Sequence, residues 1–148
     1  MFEQETSSLL DILLNDVNNE DALDSFIKND ISSFTELSLA NFFKKICEEK
    51  GLTKGKLIKA ADLDRNYGYQ ILDGSKKPTR DKILQLCFGA NLDFKQTQRA
   101  LSLGNVGELY PKNSRDAIII YSIKDNLSLH ELNEKLYDKG FSTLSDNS

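Results

Sequence analysis

Arg65, Asn66 and Gln70 lie within one short stretch of the chain, with Tyr69 among them. These side chains suit the edges of nucleic-acid bases. A guanidinium offers two parallel donors that match guanine, and a carboxamide offers the donor and acceptor that match adenine. Tyr69, read on an outer helical face, can touch a thymine methyl or stack on a sugar. Lys54, Lys76 and Lys77 flank the stretch as mobile positive charges.

Other chemistries find little support. Gly51-x-x-x-Gly55-Lys56 resembles a phosphate-binding loop, but it is one residue short and Leu57 stands where that loop needs Ser or Thr. His130 is the only histidine, set one turn into a predicted helix without a cysteine partner, so neither a metal set nor a catalytic triad forms around it. The carboxylates read as solvated helix faces or caps. Cys47 and Cys87 each sit in an apolar helical pattern and read as buried thiols, because a disulfide would need an oxidising compartment. No enzyme activity, metal or cofactor is expected.

The net charge of −4 is low for a nucleic-acid binder, but it is unevenly spread. Residues 1–39 hold nine acids and one Lys, a charge of −8, whereas residues 50–82 hold nine basic residues against four Asp, a charge of +5. A phosphate backbone meets the local field rather than the total. The apolar fraction of 39%, with eight Phe and five Tyr, is that of a folded chain of ordinary domain size. There is no apolar run long enough to span a membrane, and the N-terminus lacks the basic flank and cleavage pattern of a signal peptide, so a cytoplasmic location is expected.

The elements that must carry these residues are helical throughout. Leu9, Leu10, Leu13, Leu14 and Val17 mark a helix over 7–17, and Leu23, Phe26, Ile27 and Ile31 a looser one over 21–31, with a polar joint near Ser32 and Ser33. A helix over 39–50 should bury Ala40, Phe43, Ile46 and Cys47 and stop at Gly51. Thr53 and Asp64 cap the next two helices, the second covering 65–72. Thr79 caps a helix bearing Ile83, Leu84, Leu86, Cys87 and Phe88, and another runs over about 93–103. The expected core also includes Leu57, Ala61, Leu63, Ile71, Leu101, Ile119, Ile123, Leu132 and Leu136.

An internal repeat follows, at an offset of 35 residues. Thr79-Arg80-Asp81-x-Ile83-Leu84 matches Ser114-Arg115-Asp116-x-Ile118-Ile119, Asn91-Leu92-x-Phe94 matches Asn126-Leu127-x-Leu129, and Leu101 and Leu109 match Leu136 and Leu144. Each copy reads as a hydroxyl N-cap, a helix, an Asn-Leu turn, a second helix and an exit containing Gly. The second hairpin is expected to stack on the first and extend its core.

Residues 52–74, LTKGKLIKAADLDRNYGYQILDG, resemble the helix-turn-helix of the lambda- and 434-type repressors, the XRE or Cro-type family. Thr53 matches the cap of the first helix, Leu57 and Ala61 its buried positions, Leu63 the apolar turn residue, Ile71 the buried position of the recognition helix, and Gly74 the closing glycine. The resemblance covers about 39–103; longer bacterial regulators with a following helical pair look similar over 52–144. It implies an all-α, five-helix domain over 39–109; the repeat extends this by a C-terminal hairpin over 110–148, and the apolar stripes place an acidic helical segment over 1–38, which the resemblance does not cover. The resemblance assigns base contacts to Arg65, Asn66 and Gln70, to which the outer-face position adds Tyr69, and phosphate contacts to Lys54, Lys76 and Lys77. Ile58, Asp62 and Gly68 depart from the pattern, since the family has a small residue, a glycine and a β-branched residue there. Ile58 is expected to fill the space that Gly68 leaves, and Asp62 to accept a left-handed turn.

The expected function is sequence-specific binding of double-stranded DNA by a transcriptional regulator of bacterial or phage type. The alternative is an adaptor for a protein partner (a toxin, a kinase or another regulator) built on the same scaffold. The apolar stripes of the acidic segment need burial; docking on the body, forming a homodimer or gripping a protein partner would each provide it.

Overall fold

The computed structural model describes residues 2–30 and 38–145. Regular structure among them is entirely helical. The chain divides into two compact units, Met1–Ser38 and Leu39–Ser148.

The first unit contains α1 (Phe2–Asn15) and α2 (Glu20–Ser25), the latter running into a π-helical turn over Phe26–Asp30. α1 starts earlier than the apolar stripe required. The segment expected over 21–31 is short α-helix and then wider turn. Asn19 caps α2 by accepting the Ala22 N–H at 2.7 Å. Leu10, Leu13, Leu14 and Ile27 remain exposed, while Phe26 is buried. Ile31 and the joint at Ser32 and Ser33 lie outside the described residues.

The second unit holds α3 (Leu39–Lys50), α4 (Lys54–Ala60), α5 (Arg65–Leu72), α6 (Arg80–Gly89), α7 (Phe94–Leu103), α8 (Ser114–Lys124) and α9 (Leu129–Asp138). α3 buries Phe42 with Phe43, Ile46 and Cys47, and Ala40 is only half-buried. Phe42 meets Phe43 edge to face at 5.2 Å, so the buried stripe is wider than expected. Gly51, at φ +65°, takes the left-handed conformation that ends this helix. α6 packs against α4, α7 and α9 and buries every residue from Lys82 to Cys87. A helix covered on several sides shows no single apolar stripe, which is why Gln85 escaped the expected core. Leu63 was expected in that core and is half-buried in its turn.

The same turn joins α4 to α5, α6 to α7 and α8 to α9. Asp62, Asn91 and Asn126 each adopt φ +56°. The N–H groups of Leu63, Leu92 and Leu127 reach back to the carbonyls of Ile58, Cys87 and Ser122. These bonds satisfy carbonyls at each helix end while the next helix is capped by Asp64, Asp93 or Ser128. Asp93 and Ser128 make full capping boxes with Gln96 and Glu131. The first of these three turns lies outside the expected 35-residue repeat.

That repeat governs the polar contacts of the last two hairpins. Arg80 donates to both oxygens of Asp116 at 2.9 and 2.7 Å. Arg115 donates to both oxygens of Asp81 at 3.0 Å. Each arginine also donates to the exit of its own copy, Arg80 to the Gly107 and Glu108 carbonyls and Arg115 to those of Ser142 and Thr143. Because the ion pairs cross reciprocally, and α6 packs on α9 as α7 packs on α8, the hairpins are related by a local twofold rather than stacked in one direction. Two expected caps differ. Asn113, not Ser114, caps α8 by accepting the Asp116 N–H, and Thr79 precedes α6 without a side-chain cap bond.

Candidate nucleic-acid interface

The placement of α5 depends on one volume exchange. Gly68 is buried, and a Cβ built on it would stand 2.7 Å from both Cγ1 and Cγ2 of Ile58. The absent side chain on α5 is replaced by the larger one on α4. Behind them, a Cβ on Gly89 would stand 2.8 Å from the Ala61 nitrogen, so α6 approaches the end of α4 closely. Gln85, fully buried, donates from Nε2 to the Ala61 carbonyl at 2.9 Å and more weakly to that of Asp62. α5 is therefore held through its turn as well as through its buried face. No motif in the sequence marks Gln85; a carboxamide between Leu84 and Leu86 was its only signal.

α5 buries Gly68, Ile71 and Leu72. Arg65, Asn66 and Gln70 are exposed on the opposite side. Asp64 caps the helix by accepting the Tyr67 N–H at 3.1 Å, which directs a carboxylate oxygen to the backbone. Tyr69 differs from the outer-face expectation. It is half-buried, its hydroxyl would lie 3.2 Å from a Cβ on Gly55, and the Arg65 guanidinium carbon stands 5.7 Å from its ring centroid. Gly55 thus accommodates the tyrosine, and Arg65 must leave the ring to reach beyond it. An exposed cation–π contact of this kind is worth about 0.5–1 kcal/mol, little enough for a base to replace.

Lys54, Lys76 and Lys77 are exposed. Lys76 and Lys77 project from a loop whose start is tied back to α5, since the Ser75 and Lys76 N–H groups both donate to the Gln70 carbonyl. Asp73 accepts from the Ser75 hydroxyl at 2.6 Å and from its N–H at 2.9 Å. Those bonds, with a smaller contribution from the charge of Lys54, hold its carboxyl below the usual range. Lys54 thereby has an acidic neighbour in Asp73. Two further cations were missed by the sequence reading. Lys56 and Lys59, both exposed, join Arg65 around an open groove of about 530 Å³ lined also by Ile58, Leu63 and Tyr69. Their i, i+3 spacing on a short helix was the available signal.

The remaining titratable groups offer little chemistry. His130 pairs with Glu134 at 2.7 Å on an exposed helix face. Cys47 and Cys87 are free and buried, and burial pushes the Cys87 thiol up to about 12. Among the described residues, no cluster of His, Cys, Asp and Glu could hold a metal ion, and no helix is long and apolar enough to cross a membrane. No protein-family model, curated protein or solved structure matches this chain.

Proposed function

We propose that this chain is a DNA-binding regulator that reads duplex DNA with α5, as the second helix of a repressor-like helix-turn-helix. The observation that carries this reading is the division of α5 into two faces. Gly68, Ile71 and Leu72 fix the helix to the body, while Arg65, Asn66 and Gln70 are exposed, with exposed lysines before and after them. In the major groove, Arg65 pairs with guanine and Asn66 and Gln70 with adenine. Lys54, Lys56, Lys59, Lys76 and Lys77 neutralise phosphates, which gives affinity and salt dependence without sequence preference. Tyr69 serves mainly to seat Arg65. On this reading the chain has no catalytic role and works in the cytoplasm.

Selection from random duplexes, followed by anisotropy titration on the recovered site, tests the reading. Arg65→Ala should cost about 1–3 kcal/mol on that site and relax one base position. Lys77→Ala should weaken all sequences alike and reduce the salt slope by about one. If neither substitution changes binding at low salt, α5 is not a DNA reader. A second reading, a protein-interaction adaptor, draws on the exposed rings of Tyr110, Tyr121 and Tyr137. Capture of a stoichiometric protein, without DNA, from nuclease-treated lysate would favour it.

A further inference from the structure

The local twofold between the last two hairpins is broken in one respect. Ala117, Ile118, Tyr121, Lys135 and Lys139 line an open groove of about 400 Å³ between α8 and α9. Their counterparts 35 residues earlier are Lys82, Ile83, Leu86, Ala100 and Gly104. Ile83, Leu86 and Ala100 are fully buried there, and a Cβ on Gly104 would run into Ile83 Cδ1. That half of the pair carries α4 against α6 and α3 against α7. On the α8/α9 half, by contrast, Tyr121 is 48% exposed. The sequence differs accordingly, with Tyr and two Lys where the covered half has Leu, Ala and Gly. A surface covered by helices in one half is left as an apolar, basic groove in the other.

The other end of the chain supplies matching chemistry. α1 leaves Leu10, Leu13 and Leu14 exposed at 53%, 39% and 68%, spaced i, i+3 and i+4 on one helical face. Asp11 is exposed beside them, and residues 1–39 carry −8. Such a face is costly to leave in water. The groove offers Ile118 and the Tyr121 ring as apolar floor, with the Lys135 ammonium 5.5 Å from that ring and Lys139 at the rim. The Tyr121 hydroxyl hydrogen-bonds Asp125, and α9 also carries Glu131, Glu134 and Asp138.

We propose that the α8/α9 groove receives the acidic α1 helix of a second copy of this chain, so that two reciprocal α1-in-groove contacts form a homodimer. The contact is separate from the DNA-reading face and holds whether or not that reading is right. The leucines seat on Ile118 and Tyr121, in the manner of an amphipathic helix in a groove, and Asp11 meets Lys135 and Lys139. Two closed contacts related by a twofold give a finite dimer rather than a filament.

Sedimentation velocity of the full chain over a concentration series tests this. The wild type should dimerise. Leu10→Asp/Leu14→Asp on α1, and Tyr121→Ala/Lys135→Glu in the groove, should each raise the dimer dissociation constant at least tenfold. All four positions are at least partly exposed, so the fold should survive. An equimolar mixture of the two variants should recover a heterodimer, because one arm and one groove remain intact in it. A wild-type chain that stays monomeric throughout would overturn the proposal. So would loss of the dimer in the α1 variant alone, which would mean that the arms pair with each other. A mixture that dimerises no more tightly than either variant alone would equally overturn the proposal, since the one intact contact should add affinity.

Discussion

Gly68→Ala is the sharpest test of how α5 is positioned. Helix propensity favours Ala over Gly by about 0.8–1 kcal/mol in a helix interior. At this position the new methyl would stand 2.7 Å from Ile58 Cγ1 and Cγ2. Both atoms branch from Cβ, and Ile58 is only 2% exposed, so neither can move aside without a new χ1 in a packed space. Overpacking of this kind costs about 1–3 kcal/mol. The clash offsets the propensity gain or exceeds it, and the variant should lose about 0–2 kcal/mol. Ile58→Ala alone should lose about 2–5 kcal/mol by leaving a cavity. In that background Gly68→Ala should become stabilising, because it fills part of the cavity and keeps its propensity. Ile58→Val should not reverse the sign, since both crowded carbons remain. Urea denaturation of the wild type, both single variants and the double variant measures the coupling, expected at about 2 kcal/mol or more. Additivity within about 0.5 kcal/mol would refute the volume exchange.

Three other outcomes follow from named contacts. Burial pushes the Asp116 carboxyl up, but the Arg80 hydrogen bonds, the Tyr110 N–H and the charges of Arg80 and Arg115 together hold it below its usual value. Its contribution to stability is therefore complete above the unfolded value of about 3.9 and is lost as pH falls through the lower folded value; Asp116→Asn should cost about 1–2 kcal/mol at neutral pH, with the difference from wild type shrinking in denaturant titrations below about pH 4. Asp62→Gly, at φ +56°, should raise the melting stability by about 0.5–1 kcal/mol, because a left-handed backbone strains any residue with a Cβ; a loss would show that the aspartate side chain has a stabilising role. Cys87, buried and pushed up to about 12, should react with a thiol reagent only as the protein unfolds, and fast labelling in native buffer would contradict its placement.

The sequence by itself determined the helices and most of their ends. Thr53, Asp64 and Gly51 act locally, through a side-chain oxygen within three residues or a backbone free of Cβ, so their roles needed no knowledge of distant neighbours. The exchange between Ile58 and Gly68 was legible for a similar reason, since the two lie on consecutive helices across a short turn. Arg65, Asn66 and Gln70, singled out by the resemblance to a repressor recognition helix, are exposed. Tertiary structure alone decided what lies against them. Tyr69 turns inward because Gly55, on another helix, leaves room for it, and Gln85 is buried because its amide meets the Ala61 carbonyl from 24 residues away. The repeat was visible as a spacing, but spacing carries no orientation. Only the crossing of Arg80 to Asp116 and Arg115 to Asp81 shows that the copies face each other about a twofold; α4 and α3 then bury the α6/α7 surface, and the matching α8/α9 groove stays open.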